Sequence, residues 1–367
     1  MAEVVMITGV SRYLGGRFAR MLSTESSVGR VIGVDVVPPT HDIGSTEFVR
    51  ADIRNPVIAK VLERAGVDTV VHMNVIATPT SAGGRISMKE INVIGTMQLL
   101  AACQKSSGVK RLVVKSTSSV YGASPKDPAK FTEETPAKVL PRAGWGKDSV
   151  EVEGYVRGFS RRRPDVDVAV LRFANVIGPG VRTALTDYFE LPVAPTVLGF
   201  DPRLQFVHED DLLEGMRLAT EGDVTGVVNV AADGVLTLSQ TLGMTGHPPL
   251  PVPLPAMDLV AQGVRRLFRT DLGNEQIRLL TYGRCLDTLR MRTDLALEPR
   301  WTTREAFAAY VAARRLHGPV PESALDEASE QLVALAGLVG GAAATVGGGA
   351  SAVLEANPLR SLRRSAP

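Results

Sequence analysis

The stretch ITGVSRYLGG, residues 7 to 16, constrains the fold of this chain more than any other part of the sequence. It follows an apolar run, Val4 to Ile7, and precedes apolar residues at helical spacing. The pattern predicts a strand, a tight turn and the N-terminus of a helix. Glycines in such a turn let the backbone approach a phosphate, and the free amides of the first helical turn donate to it. We therefore predict that this turn binds the pyrophosphate of a dinucleotide.

The glycine pattern of this loop is incomplete. Read as TGxxGxxG, the loop has Gly9 and Gly15 but Arg12 at the middle position. Read as TGxxxGxG, it has Tyr13 at that position instead. Two glycines of three are a weak signal when taken alone, so the rest of the chain must support the prediction.

A carboxylate follows the loop at the distance that NAD binding requires. Residues 31 to 37, VIGVDVV, predict a buried strand that carries Asp35 near its end. A carboxylate about 20 residues beyond a glycine loop binds the ribose hydroxyls of NAD and repels the 2′-phosphate of NADP. Arg12 favours NADP instead, because a guanidinium in the loop is able to face that phosphate. We predict NAD, and the alternative is that Asp35 merely begins a turn.

Apolar strands alternate with helical patterns along most of the chain, which predicts an α/β fold with a Rossmann-like, doubly wound parallel sheet. Gly and Pro become frequent after Gly178, where the pattern predicts a departure into a smaller C-terminal substrate lobe. The extended HPPLPVPLP stretch, residues 247 to 255, belongs to that lobe. The predicted division is a NAD-binding domain of residues 1–178 and 203–235, a lobe of 179–202 and 236–318, and an Ala/Gly-rich tail of 319–367.

Composition excludes several classes of function for these 367 residues. A net charge of +2 and 5% aromatic residues give no basic or stacking surface, so we expect no nucleic-acid partner. Cys103 and Cys285 match no metal or redox spacing, and Cys103 is expected to be a buried thiol. Because the N-terminus lacks a signal-peptide pattern, we expect a cytoplasmic protein. The tail is expected to be flexible or loosely docked rather than bound to a membrane, with an interfacial helix or a span as alternatives.

Seven motifs in order resemble the extended short-chain dehydrogenase/reductase family, the NAD-dependent sugar epimerases and dehydratases typified by UDP-glucose 4-epimerase. The resemblance covers residues 3 to 315. It rests on the loop described above together with VDVV, ADI, VVHM, the hydroxyl-rich strand end KSTSSVYG, LRFANVIGPG and FVHEDDL. It implies a nucleotide-sugar substrate and NAD as cofactor.

The resemblance also implies roles for individual residues. Asn175 would contact substrate phosphates, and Thr117 would hydrogen-bond the reacting sugar oxygen. His208 would pin loop backbone rather than take part in chemistry. The implied cofactor-binding residues are Gly9, Ser11, Arg12, Tyr13, Leu14 and Gly15 at the pyrophosphate, Asp35 at the ribose, Asp52 and Ile53 at adenine, Met73, Asn74 and Val75 after the fourth strand, and Asn92 at the nicotinamide half.

The catalytic pair of the family is missing from this sequence. Its members carry YxxxK on the helix after the hydroxyl-rich strand, and the lysine lowers the pKa of the tyrosine that acts as base. The matching helix, residues 143 to 159, has Trp145 in place of the tyrosine and Ser149 in place of the lysine. Indole has no titratable oxygen, and serine carries no charge. The usual hydride-transfer mechanism therefore lacks both of its proton-handling groups.

Lys115 and Thr117 are the candidate catalytic residues that remain. They have the same parity on a predicted strand, so both side chains can face the cofactor side. Two interpretations stay open. In the first, the protein is an atypical epimerase or dehydratase in which Thr117, Lys115 or a substrate group carries protons. In the second, it is a catalytically degenerate NAD(H)-binding sensor or scaffold.

Two further groups are possible binding surfaces. Arg284, Arg290 and Arg292 could reach a substrate diphosphate, although each taken singly is expected to be a solvated surface residue. A homodimer is possible, since many members of the family pair two helices of the sheet domain. The candidate contact residues are Leu99, Leu100, Val150 and Val152.

Overall fold

The computed structural model describes residues 2–73, 84–268, 270 and 272–316. Its strands are β1 (Ala2–Thr8), β2 (Val28–Asp35), β3 (Glu47–Arg50), β4 (Thr69–His72), β5 (Arg111–Thr117), β6 (Asp167–Phe173), β7 (Asn175–Ile177), β8 (Ala194–Val197), β9 (Arg203–Leu204), β10 (Phe206–His208), β11 (Gly226–Val230), β12 (Leu236–Thr237) and β13 (Pro249–Val252). Seven of them form one parallel sheet in the order β3-β2-β1-β4-β5-β6-β11. The predicted doubly wound parallel sheet is confirmed.

Helices cover both faces of this sheet, because its central strands are apolar on both sides. They are α1 (Tyr13–Leu22), α2 (Val57–Ala65), α3 (Arg85–Lys89), α4 (Thr96–Lys105), α5 (Gly144–Arg162), α6 (Ala184–Phe189), α7 (Glu209–Glu221), α8 (Leu238–Thr245), α9 (Met257–Phe268), α10 (Asn274–Tyr282), α11 (Leu289–Thr293) and α12 (Thr303–Arg314). Buried residues of α1 and α7, such as Phe18 and Met216, share one hydrophobic core. Those of α2, α4 and α5, such as Leu62, Leu99 and Val156, form the core on the opposite face.

A third hydrophobic core lies in the lobe, with Phe189, Phe206 and Phe307 at its centre. The rings of Phe189 and Phe307 meet edge to face with centroids 4.9 Å apart. The proline-rich stretch forms β13, which pairs with β8. The extended conformation expected for it is therefore confirmed, while the residue boundaries of the two domains stay a prediction.

The helix before β5 is irregular. It runs through α3 and α4, and its central segment Glu90–Gly95 is wound as a π-helix. Such segments are rare and frequently lie at functional sites. Asn92, implied to lie near the nicotinamide, is fully buried in this segment, and its carbonyl accepts a hydrogen bond from the Thr96 hydroxyl.

Some predictions fall on residues that the structure leaves undescribed. Asn74, Val75 and the tail 319–367 are outside the described residues. Among the helices that are described, none is long and apolar enough to cross a membrane. Of the residues suggested for a dimer contact, Leu99, Leu100 and Val152 are buried in the core of the chain itself and are not available for it.

Candidate functional site

The glycine loop has the predicted strand, turn and helix conformation. Gly9 follows β1 with φ of 82°, a conformation that favours glycine. A Cβ on Gly15 would lie 2.8 Å from the carbonyl carbon of Gly9, so a side chain there would collide with the backbone of the turn. Both glycines are therefore required by the backbone geometry of the loop.

Arg12 replaces the middle glycine without backbone strain. Its φ of −92° and ψ of 152° are ordinary extended values, and its amide donates to the Gly9 carbonyl at 3.1 Å. Burial lowers the pKa of its guanidinium, and the nearby Asp35 carboxylate opposes that shift. The substitution thus adds a side chain and a positive charge beside the turn while leaving its path unchanged.

Asp35 connects the end of β2 with the glycine loop. Its carboxylate accepts hydrogen bonds from the Ser11 amide at 3.1 Å and the Val36 amide at 2.7 Å. The Ser11 hydroxyl also donates to the carbonyl of Val37. These bonds hold the loop and the carboxylate together at the edge of the sheet where parallel strands end, which is where dinucleotides bind in this architecture.

Glu209, a residue that the sequence did not single out, holds the loop from the other side. Its Oε1 accepts from the Tyr13 hydroxyl at 2.8 Å and pairs with Arg17 at 2.8 Å, while its Oε2 accepts from the Gly180 amide at 3.2 Å. The only signal in the sequence was the acidic start of α7 in FVHEDDL. In the same motif, His208 accepts from the Asp210 amide and caps α7, in line with its expected structural role.

One cavity of about 590 Å³ begins at this loop and extends to the lobe. Most of the predicted site residues line it, together with Trp145 and several lobe residues. The predicted residues in its wall are Ser11, Arg12, Tyr13, Leu14, Gly15, Asp35, Met73, Lys115, Thr117 and Asn175. The structure therefore brings the glycine loop, the hydroxyl-rich strand end and the substrate candidates together.

Four predicted site residues lie outside the described wall of this cavity: Gly9, Asp52, Ile53 and Asn92. Gly9 lies behind Gly15 in the turn. Asp52 forms an ion pair with Arg54 at 2.7 Å, which holds the pKa of its carboxyl below the usual value. Ile53 is buried against Gly95 of the π-helical segment. Their roles toward adenine and nicotinamide stay predictions.

Lys115 and Thr117 lie together at the end of β5. The Thr117 oxygen accepts from the Ser119 amide at 3.1 Å, which leaves its hydroxyl hydrogen free to donate. Burial lowers the pKa of the Lys115 ammonium to about 8, and the positive charge of Arg12 adds to this shift. At neutral pH the ammonium form still predominates, so the cavity contains a cation beside a hydroxyl donor.

The two residues at the missing catalytic pair have different surroundings. Trp145 lies on the first turn of α5 and lines the cavity. Ser149 is buried one turn later, and its hydroxyl donates to the Trp145 carbonyl at 2.9 Å. Neither side chain supplies a proton acceptor at neutral pH, so any acid–base group must come from elsewhere in the wall.

The lobe contributes two charged groups to the cavity wall, Arg284 and Glu275. Arg284 is only 5% exposed and donates to the Gly122 carbonyl and the Ser119 hydroxyl, so the expectation of a solvated surface arginine is wrong for it. It lines the cavity beside Glu275, another residue that the sequence did not single out. Arg290 and Arg292 instead form ion pairs on the protein surface.

Comparison with known proteins defines the class of this chain. Residues 5–231 match the family model described as the NAD dependent epimerase/dehydratase family. The chain belongs to that family. The match confirms the resemblance found in the sequence and NAD as the cofactor.

Individual relatives agree with this family. The chain is 46% identical over 320 residues to the uncharacterised protein Rv0501 of Mycobacterium tuberculosis, covering 86% of this chain and 85% of that one. It is 27% identical over 238 residues to a UDP-glucuronate 4-epimerase of Thermodesulfobacterium geofontis, covering 57% and 69% of the two chains.

Solved structures show the same fold at low identity. MoeE5 in complex with UDP-glucuronic acid and NAD has a TM-score of 0.66 and 21% identity, over 85% of this chain and 98% of that chain. A UDP-glucuronic acid 4-epimerase from Bacillus cereus, in complex with UDP-glucuronic acid and NAD, has a TM-score of 0.64 and 18% identity, over 86% and 100% of the two chains.

The residues present fit NAD. The turn at Gly15 has no room for a Cβ, the first amides of α1 lie at the cavity, and Asp35 lies at the end of β2. Ser11 to Gly15 would hold the pyrophosphate, and Asp35 the adenosine ribose. Arg12 would add a positive charge close to the phosphates.

Proposed function

We propose that this protein is an NAD-dependent epimerase or dehydratase acting on a nucleotide sugar of the UDP-sugar type. The observation that carries the proposal is the single cavity that joins the glycine loop, Lys115 and Thr117 on β5, and Asn175 and Arg284 on the lobe side. A nucleotide sugar bound between sheet and lobe would place a sugar hydroxyl at the end of β5.

We infer the following roles for the residues around that hydroxyl. When bound, NAD supplies a hydride acceptor for the carbon that carries the hydroxyl. Thr117 would donate a hydrogen bond to the reacting oxygen and fix its position. Lys115 would stabilise negative charge that develops on the same oxygen, because it is a buried ammonium in a site of low dielectric.

Two lines of support favour this substrate class. The relative from Thermodesulfobacterium geofontis is a UDP-glucuronate 4-epimerase, and MoeE5 binds UDP-glucuronic acid and NAD. Within this chain, the buried cation of Arg284 faces the cavity on the lobe side, where an anionic substrate group would be held. The family match and the relatives give no support to the sensor or scaffold interpretation, which is based on the missing Tyr/Lys pair alone.

Cofactor binding and reduction test the proposal directly. Purified protein is examined by native mass spectrometry for bound NAD, and then incubated with UDP-glucose, UDP-galactose or UDP-glucuronic acid while nicotinamide absorbance is followed. We expect bound NAD and slow turnover, since the Tyr/Lys pair is missing. A protein that binds no NAD would overturn the proposal. Fast turnover would show that the replacement of the Tyr/Lys pair by Trp145 and Ser149 lowers the reaction rate only slightly.

A further inference from the structure

Glu275 lies in the first turn of the lobe helix α10 and reaches across to the first turn of α5. Its Oε2 accepts from the Gly146 amide at 3.0 Å, although 129 residues separate the two along the chain. The carboxylate therefore lies beside Trp145, which occupies the position of the missing tyrosine. It enters the cavity wall from the lobe rather than from the sheet domain.

The space for this carboxylate exists because α5 begins with glycines on both sides of Trp145. A Cβ on Gly146 would lie 2.7 Å from the Glu275 carboxyl carbon, and one on Gly144 would lie 3.0 Å from Oε2. Gly144 also has φ of 72°, which favours glycine. The sequence GWG thus opens a recess at the helix N-terminus that the carboxylate fills.

The two oxygens of this carboxylate have different surroundings. Oε1 is buried and has no hydrogen-bond partner among the residues that the structure describes. An unpartnered buried carboxylate oxygen is costly, and a catalytic role is one of the reasons for which such a group is retained. Burial raises the pKa of the carboxyl, and the nearby Asp148 adds to this shift, while Arg284, the Gly146 amide and the Ser119 hydroxyl oppose it. A raised pKa is typical of carboxylates that act as acid and base near neutral pH.

We propose that Glu275 is the catalytic acid–base residue of this protein, in place of the tyrosine that Trp145 replaces; this rests on the proposed function. Lys115 then supplies the positive charge and Glu275 the proton acceptor. The two missing functions of the Tyr/Lys pair are thereby divided between β5 and the lobe.

The step moves one proton. The O–H bond of the substrate hydroxyl breaks, and its proton forms a bond to the Glu275 carboxylate, which becomes a neutral carboxylic acid. The electron pair of the O–H bond would become the second bond of the new carbonyl, and the hydride of the same carbon would pass to the acceptor that bound NAD supplies. The reverse step returns the proton from Glu275 to the substrate oxygen, so the carboxylate is regenerated.

The alternative is that Glu275 only caps α5. Glu275→Gln separates the two roles, because its amide oxygen still accepts from the Gly146 amide but the side chain no longer takes a proton. Glu275→Asp retains the acid and shortens its reach. Glu63→Gln, on the exposed surface of α2, is the matched control for loss of one carboxylate.

The experiment combines kinetics with a titration that needs no activity. For each variant, kcat and KM for UDP-glucose are measured over pH, and NAD and UDP-glucose affinities by calorimetry. The carboxylic-acid band of the protein without cofactor is followed by infrared spectroscopy over the same pH range. We expect Glu275→Gln to lower kcat about 100-fold, the usual scale for loss of a general base, with both affinities retained.

Two further signatures separate catalysis from capping. Wild-type kcat should fall at acidic pH as Glu275 becomes protonated, and this acidic limb should be absent in Glu275→Gln. One carboxylic-acid band should titrate above the ordinary glutamate pKa of about 4.3 in wild type and in Glu63→Gln, and vanish in Glu275→Gln. Glu275→Asp should recover part of kcat.

The outcomes distinguish this proposal from the proposed function. If wild type turns over UDP-sugars and Glu275→Gln equals it in kcat and pH profile, Glu275 only caps α5 and the proposed function stands. If wild type binds no NAD, or binds it but converts none of the three UDP-sugars, the proposed function fails and the role of Glu275 fails with it.

Discussion

The glycine loop and the first turn of α5 both depart from the family pattern, and the structure accommodates the two departures differently. In the loop, Arg12 replaces a glycine, yet the backbone keeps the path that phosphate binding needs. At α5, Trp145 and Ser149 replace the two groups that move and stabilise charge, and no backbone adjustment substitutes for them.

The difference follows from what each region contributes. The loop acts through main-chain amides and the helix dipole, which most side chains leave intact. The start of α5 acts through side-chain chemistry, which one substitution removes. The glycine loop therefore tolerates the change at Arg12. The start of α5 requires other side chains to replace the lost groups, and Lys115 and Glu275 are the candidates.

Gly15→Ala should have the largest effect and would show that the loop depends on its backbone. The new Cβ would collide with the Gly9 carbonyl, so the turn must move. We expect NAD affinity to fall at least about 100-fold, or about 2.7 kcal/mol, in calorimetric titration. Gly243→Ala, where a Cβ meets nothing within 4 Å, is the control. Unchanged affinity in Gly15→Ala would mean that the turn does not hold the cofactor.

Lys115→Met tests whether the Lys115 ammonium stabilises negative charge on the reacting oxygen. We expect kcat with UDP-glucose to fall about 100-fold, at the lower end of the range for loss of one electrostatic stabiliser. Because the Lys115 pKa lies at about 8, wild-type activity should decrease as pH rises through that value and the ammonium loses its proton. Lys115→Met should lack this alkaline limb. Measurement of kcat between neutral and alkaline pH checks the lower rate and the loss of the alkaline limb. An alkaline limb that is retained in Lys115→Met would contradict the role of the Lys115 ammonium.

Gly146→Ala tests whether the recess at α5 serves the chemistry. The added methyl group would displace the Glu275 carboxylate, which is flexible, so the fold should tolerate it. We expect kcat to fall about 10-fold, because small misplacements of a reacting group are costly. Gly154→Ala on the same helix, with open space around its Cβ, should retain full activity. Equal kcat in the two variants would argue against a catalytic carboxylate at this place.

Arg12→Gly should have the smallest effect and would sharpen the contrast between the two regions. The loop keeps its path, and only a partly buried charge is lost. We expect NAD affinity to fall about 3-fold, as for loss of a partly solvated ion pair. NADP affinity should fall further if the guanidinium faces the 2′-phosphate. Calorimetry with both dinucleotides measures this, and a gain in NAD affinity would show that Arg12 hinders phosphate binding.

Much of the fold and the cofactor half could be predicted from the sequence. The apolar runs around Val4 and Val34 predict buried parallel strands, and Gly9 and Gly15 predict the turn between β1 and α1. Asp35 could be placed because its spacing from the loop is fixed by one strand, one helix and a second strand. The burial of Arg284 could not be predicted, since a basic residue in a lobe segment has no periodic signal that distinguishes a buried cation from a solvated one.

The sequence by itself determined the parallel sheet, the dinucleotide loop and the loss of the Tyr/Lys pair, because these depend on local periodicity and on residue identity at fixed spacing. Only the tertiary structure placed Glu275 beside Trp145, Arg284 against Ser119, and Glu209 under Tyr13. These contacts join segments far apart in the chain, and local patterns contain no information about which distant side chains meet when the sheet and the lobe pack together.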